Sequence, residues 1–66
     1  MGAIEELRRK NNMSQKELGE KIGVSQNTIS AWEKKSPPPT SKLILLAQLF
    51  DVSIDHLLGI SPGDAG

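Results

Sequence analysis

No cysteine occurs in the 66-residue chain, and histidine occurs once, as His56. Without cysteine there is no disulfide to staple a small fold and no thiol nucleophile. The cysteine- and histidine-based metal sites that hold many small domains together are excluded as well. Catalysis has little to work with, so the expectation is a protein that is not an enzyme and carries no metal or cofactor. Long hydrophobic runs are also missing. The longest, Leu43 to Ala47, falls far short of the ~18 residues of a membrane span. No apolar stretch of the signal-peptide kind opens the chain, and a cytoplasmic protein is expected. A chain this short buries only about 60% of its unfolded surface. One domain, held by well-packed apolar side chains alone, is what remains.

Net charge is absent too, since eight Lys and Arg balance eight Asp and Glu. The balance is not uniform. Residues 1–7 carry −2, residues 8–42 carry +5, and residues 43–66 carry −3. A basic middle between acidic ends is compatible with a surface that faces a polyanion, and equally with an ordinary solvated surface.

Apolar spacing and stop signals predict five short helices. Ile4 and Leu7 mark the first, which Asn11 and Asn12 end. The second opens at Ser14 with Glu17 three residues on, a capping box, and Met13 and Leu18 flank it as a hydrophobic staple. Gly23 ends it by supplying a left-handed residue. The third is capped by Ser25, with Val24 and Ile29 as staple, and runs to about Lys34. Pro38 and Pro39 prevent its continuation. The fourth starts at Thr40 or Ser41, with Leu43, Leu46, Ala47 and Phe50 along one stripe. Ile44, Leu45 and Leu49 make it apolar nearly all round, which implies either a central buried helix or an added contact surface. The fifth is capped by Ser53, with Val52 and Leu57 as staple, and ends at Gly59. No strand-like alternation appears, so the class is all-α: a compact five-helix domain over residues 1–60, with residues 61–66 a polar tail or linker.

The informative stretch is Gln15 to Lys34. A single glycine and a cap between two helices force them to cross steeply, as in a helix-turn-helix. Gly19, one turn before the turn itself, supplies the small residue that a close crossing needs. At ~100° per residue, Thr28, Ile29 and Trp32 share the core-facing arc of the third helix. Gln26, Asn27, Ser30, Ala31 and Lys34 share the opposite arc. That outer arc carries amides, a hydroxyl, a methyl and a lysine, but no acid. Small and amide side chains allow close approach to the major groove and pair with base edges.

Ser14-Gln15-Lys16-Glu17-Leu18-Gly19-Glu20-Lys21-Ile22-Gly23-Val24-Ser25, followed by Thr28-Ile29-Ser30-Ala31-Trp32-Glu33, resembles the helix-turn-helix of the Cro/CI phage-repressor family, also called the XRE family. The likeness continues through Pro39, Leu46-Ala47, Phe50, Val52-Ser53, Asp55 and Leu57-Leu58-Gly59. It implies a lambda repressor-like five-helix domain whose third helix, about 26–34, enters the major groove. By position, Gln26, Asn27, Ser30 and Ala31 match base-contacting sites. Gln15, Ser25, Lys34, Lys35 and Lys42 match phosphate-contacting ones, with Gln15 abutting Gln26. Arg8 and Glu33 match a pair that forms a buried ion pair between the first and third helices. The family often has Ala where Gly19 stands, so Gly19 should cost about 1 kcal/mol of helix stability. It often has Gly where Lys35 stands, and the Ser36–Pro39 loop is about one residue short.

The expected function is sequence-specific binding of double-stranded DNA by a symmetric homodimer, formed in solution or only on DNA, to regulate transcription as a repressor. A bacterial or phage-derived, nucleoid-associated protein follows from the resemblance. The competing reading is a protein-interaction module of the same fold, such as an antitoxin or a regulator-binding protein. Trp32 is expected in the core, Met13 as a staple, and His56 on the solvated surface.

Overall fold

The computed structural model describes residues 3–58. Within them lie α1 (Ala3–Lys10), α2 (Gln15–Ile22), α3 (Gln26–Lys34), α4 (Thr40–Phe50) and α5 (Ile54–Leu58), and no strand. The all-α expectation holds, and α2, α3 and α5 begin directly after their expected caps Ser14, Ser25 and Ser53. The expected stop at Gly59 and the polar tail over residues 61–66 lie outside the described residues.

The helix ends follow local chemistry. Asn12 takes a left-handed φ of 56° after α1, and the Asn11 side-chain amide donates to the Leu7 carbonyl at 2.8 Å. The capping box forms in both directions: the Glu17 N–H donates to Ser14 Oγ at 3.0 Å, and the Ser14 N–H donates to Glu17 Oε1 at 2.9 Å. Gly23, at φ 88°, closes α2 with its N–H on the Gly19 carbonyl at 2.7 Å. The α3 ladder ends at Lys35, where the Lys35 and Ser36 N–H groups both return to the Ala31 carbonyl. Pro39 precedes α4 and offers it no side-chain cap.

One apolar core draws on all five helices. Leu18 of α2, Ile29 of α3 and Leu46 of α4 are fully buried, and Ile4, Leu7, Ile22, Leu43, Phe50 and Leu57 surround them. Fully burying such a side chain is worth about 1.5–3 kcal/mol, and truncating one to alanine costs about 2–5 kcal/mol. The staple residues Met13, Val24 and Val52 are half-buried against this core, as is Trp32. Trp32 is therefore at the core's edge and not inside it.

Of the two readings of α4, the structure excludes the central buried helix. Leu43, Leu46 and Phe50 turn inward, while Ile44, Leu45 and Leu49 are 44%, 40% and 37% exposed. Among the described residues no helix is long and apolar enough to cross a membrane.

Candidate nucleic-acid interface

The geometry of the α2–α3 crossing begins with Gly19. It is buried, and a Cβ built on it would lie 2.6 Å from the Val24 carbonyl oxygen. Real Cβ atoms do not approach that closely, so the turn's backbone occupies the space a methyl would need. Gly19 is thus the small residue the close crossing needs, and its lack of a side chain lets the chain double back tightly. The Gly19 carbonyl also accepts from both the Gly23 and the Val24 N–H groups, at 2.7 and 2.8 Å.

Ser25 then starts α3. Its Oγ accepts from the Thr28 N–H at 3.1 Å and lies 2.9 Å from Thr28 Oγ1. Thr28 is thus held by the cap, while Ile29 anchors the helix in the core. The opposite side of α3 is open. Gln26, Asn27 and Lys34 are exposed, and Ser30 and Ala31 are half-buried. Spaced at one, three, one and three residues, these five form a continuous stripe along one helix face. Lys35 is exposed just beyond the stripe, and Lys42, on the first turns of α4, is partly so.

The only carboxylate of α3, Glu33, is turned inward, its side chain 4% exposed. Arg8 Nε donates to Glu33 Oε2 at 2.8 Å and Arg8 Nη2 reaches Oε1 at 3.4 Å. The expected pair between the first and third helices is present. Two partners were not visible beforehand. Arg8 Nη1 donates to the Met13 carbonyl at 2.9 Å, fastening the turn before α2. Gln15 Nε2 donates to Glu33 Oε1 at 3.0 Å, so the amide expected at a phosphate engages the ion pair. A guanidinium forked onto a carboxylate, with a further donor on the carboxylate and a further acceptor for the guanidinium, is the arrangement in which a buried charge is stable. Burial alone would raise the Glu33 pKa, but the bonds from Arg8 and Gln15 and the charges of Arg8 and Arg9 outweigh it and hold the carboxyl below its ordinary value. The Glu33 hydrogen bond in turn raises Arg8.

Arg9 pairs with Glu5 one turn back on α1, at 2.7 Å. His56 is exposed. Among the described residues, no cluster of His, Asp and Glu is arranged to hold a metal ion.

Two helices crossing at a glycine-tight turn, the second with an open polar face, define a helix-turn-helix domain. Comparison with known proteins agrees. The helix-turn-helix family matches residues 4–57. The chain belongs to that family, of the Cro/CI (XRE) type. It is 37% identical over 59 residues to a Bacillus subtilis (strain 168) protein named as the uncharacterized HTH-type transcriptional regulator YobD, covering 88% of this chain and 53% of that one. It is 39% identical over 57 residues to the HTH-type transcriptional regulator ImmR of the same organism, covering 85% of this chain and 45% of that one. A third relative, the HTH-type transcriptional activator BcrR of Enterococcus faecalis, is 38% identical over 56 residues, covering 83% of this chain and 28% of that one. The chain thus spans about half or less of the length of the curated relatives it matches. No solved structure matches it.

Proposed function

We propose that the protein binds double-stranded DNA sequence-specifically and regulates transcription, with α3 in the major groove. The observation that carries this reading is the acid-free outer face of α3, whose single carboxylate is buried against Arg8. Acids on a face presented to phosphate are repelled by it, and amides and small groups allow the close approach that reading base edges needs. Gln26, Asn27, Ser30 and Ala31 are the base-contacting residues in this proposal. Gln15, Ser25, Lys34, Lys35 and Lys42 hold phosphates. The names of the three relatives support regulation of transcription as the setting.

Two copies on a two-fold site, with half-sites about 34–36 Å apart, complete the proposal. The exposed Leu45 and Leu49, with Leu58 at 45% exposure, are the surface for self-contact. Repression by occupying the site is the proposed regulatory mode, in the cytoplasm at the nucleoid. A promoter–reporter assay decides its sign, since one relative carries the word activator in its name.

Selection of bound sites from a random duplex pool, followed by titration of two variants, tests the reading. Gln26→Ala should lose about 1–3 kcal/mol on the preferred site and almost nothing on random duplex. Lys34→Ala should weaken both alike and reduce the salt slope by about one unit. Equal losses in the Gln26 variant would mean that α3 does not read bases, and a protein partner would then be the better reading.

A further inference from the structure

We propose that the cleft enclosed by α1, the C-terminal end of α3, the loop that follows it and α5 binds a small carboxylate with an apolar body, and that this ligand competes with the DNA backbone for Lys34 and Lys35. The competition rests on the DNA-binding reading above, whereas the site itself does not. The cleft has a volume of about 220 Å³, and a cavity of ~150 Å³ is already enough to hold benzene. Ile4, Trp32, Pro37, Pro38 and Leu57 form its apolar walls. Ile4, Pro38 and Leu57 are buried, Trp32 is half-buried, and the two prolines have a fixed φ. Most of the wall is therefore set before a ligand arrives, and little ordering entropy opposes binding.

Charge selects the ligand. Lys34 and Lys35, both exposed, line the same cleft. The one acid in its lining is Glu33, whose side chain is 4% exposed and bonded by Arg8 and Gln15. That carboxylate is already neutralised and is not presented to a ligand. The carbonyl end of α3 opens here as well, with roughly half a negative charge. Two ammonium groups outweigh it, so the cleft favours an anion over a cation. An apolar body against Trp32 and the prolines, with a carboxylate at the lysines, uses both features of the site. The position of the cleft gives such a ligand a consequence. Lys34 ends the outer stripe of α3 and Lys35 lies just beyond it, where phosphate contacts are proposed. A carboxylate paired with these two side chains withdraws them from the duplex. By linkage, the duplex weakens the ligand by the same factor.

Trp32 is the chain's single tryptophan, so its emission reports from the wall of the cleft. The test titrates the free protein with phenylacetate and, at matched ionic strength, with acetate and with benzylamine. Phenylacetate should give a saturable change in emission with a midpoint of about 1 mM or below. Acetate lacks the apolar body and benzylamine carries the opposite charge, so neither should give one in that range. Lys34→Gln combined with Lys35→Gln alters exposed side chains only and should weaken phenylacetate roughly tenfold. Saturating phenylacetate should lower the affinity of the wild-type protein for duplex by about fivefold or more, the low end of ordinary coupling, with acetate at the same ionic strength as the reference. An unchanged Trp32 emission, an equal response to acetate or benzylamine, or undiminished binding by the double variant would overturn the proposal. So would saturable binding that leaves duplex affinity where it was. A wild type that binds no duplex at all fails differently: the DNA-binding reading falls and the competition with it, while the emission titration alone decides the site.

Discussion

Three helices in this domain are followed by a left-handed residue, and α2 and α4 are so at different cost. α2 ends at Gly23, where φ 88° meets no Cβ, while α4 ends at Asp51, a residue with a side chain at φ 56°. The same contrast runs through the halves they belong to. The α2–α3 half has a two-way capping box, a side-chain cap at Ser25 and a buried ion pair with Gln15 as an extra donor. The α4–α5 half has no side-chain cap on α4, a carboxylate at that helix's negative end, and leucines facing out. Local chemistry in the first half leaves little freedom in how α3 is presented. In the second half the chain accepts strain and exposed apolar surface.

Breaking the first half should have the largest effect. Glu33→Ala leaves the Arg8 guanidinium, 12% exposed, without its carboxylate, at a cost of about 3–5 kcal/mol. In a domain of this size that should abolish the cooperative melt seen by circular dichroism. A melting temperature within a few degrees of wild type would show that the two halves tolerate damage equally. Acid should act on the same pair. The Glu33 pKa is depressed in the folded protein, so its contribution is complete above the ordinary value of 4.5 and is lost as pH falls through the folded value. Glu17, held low first by the Ser14 N–H, acts in the same direction. Stability should therefore decline below about pH 4.5, and a urea midpoint that stays flat into that range would contradict the pairing.

Gly19→Ala sharpens the comparison further. Helix propensity alone favours alanine by about 1 kcal/mol. Pushing the Val24 carbonyl away, as overpacking does, costs about 1–3 kcal/mol. A net loss of up to about 2 kcal/mol is expected, and a raised melting temperature would show that the turn yields freely. In the other half, Asp51→Gly should stabilise by about 1 kcal/mol, through relief of the left-handed strain and removal of a charge from the C-terminus of α4. A drop in melting temperature there would mean that the Asp51 side chain does something the hydrogen bonds do not reveal. The smallest effect on stability belongs to Leu45→Ser combined with Leu49→Ser. Exposed positions change stability within about 0.5 kcal/mol, yet the footprint at saturating protein should shrink to one half-site.

The caps and the core stripe were legible in the chain because they depend on neighbours three or four residues away. Ser14 with Glu17, Gly23, Ser25 and Ser53 all act within one turn, and Leu18, Ile29 and Leu46 follow helical spacing. The Arg8–Glu33 pair was legible only through family resemblance, since 25 residues separate its members. The bonds from Gln15 to Glu33 and from Arg8 to the Met13 carbonyl were not legible at all. They depend on the angle at which α1 and α2 meet α3, which no local pattern encodes. Asp51 hid for a different reason: its left-handed turn lacks the glycine that signals one, and Val52 N–H closes it on the Ala47 carbonyl at 3.0 Å regardless. Gly19 was identified as the small residue of the crossing, but only the position of the Val24 carbonyl shows that even a methyl is crowded there.

The bond from Arg8 to Glu33 has a consequence for how far this motif can travel. Residues 14–34 look like a self-contained cassette, with their own caps and their own turn. Grafted onto another scaffold without α1, they would carry a carboxylate that faces inward and has lost its Arg8 guanidinium. The portable unit is α1 through α3, and a domain swap or chimera should place its junction beyond Lys35, never between Lys10 and Ser14.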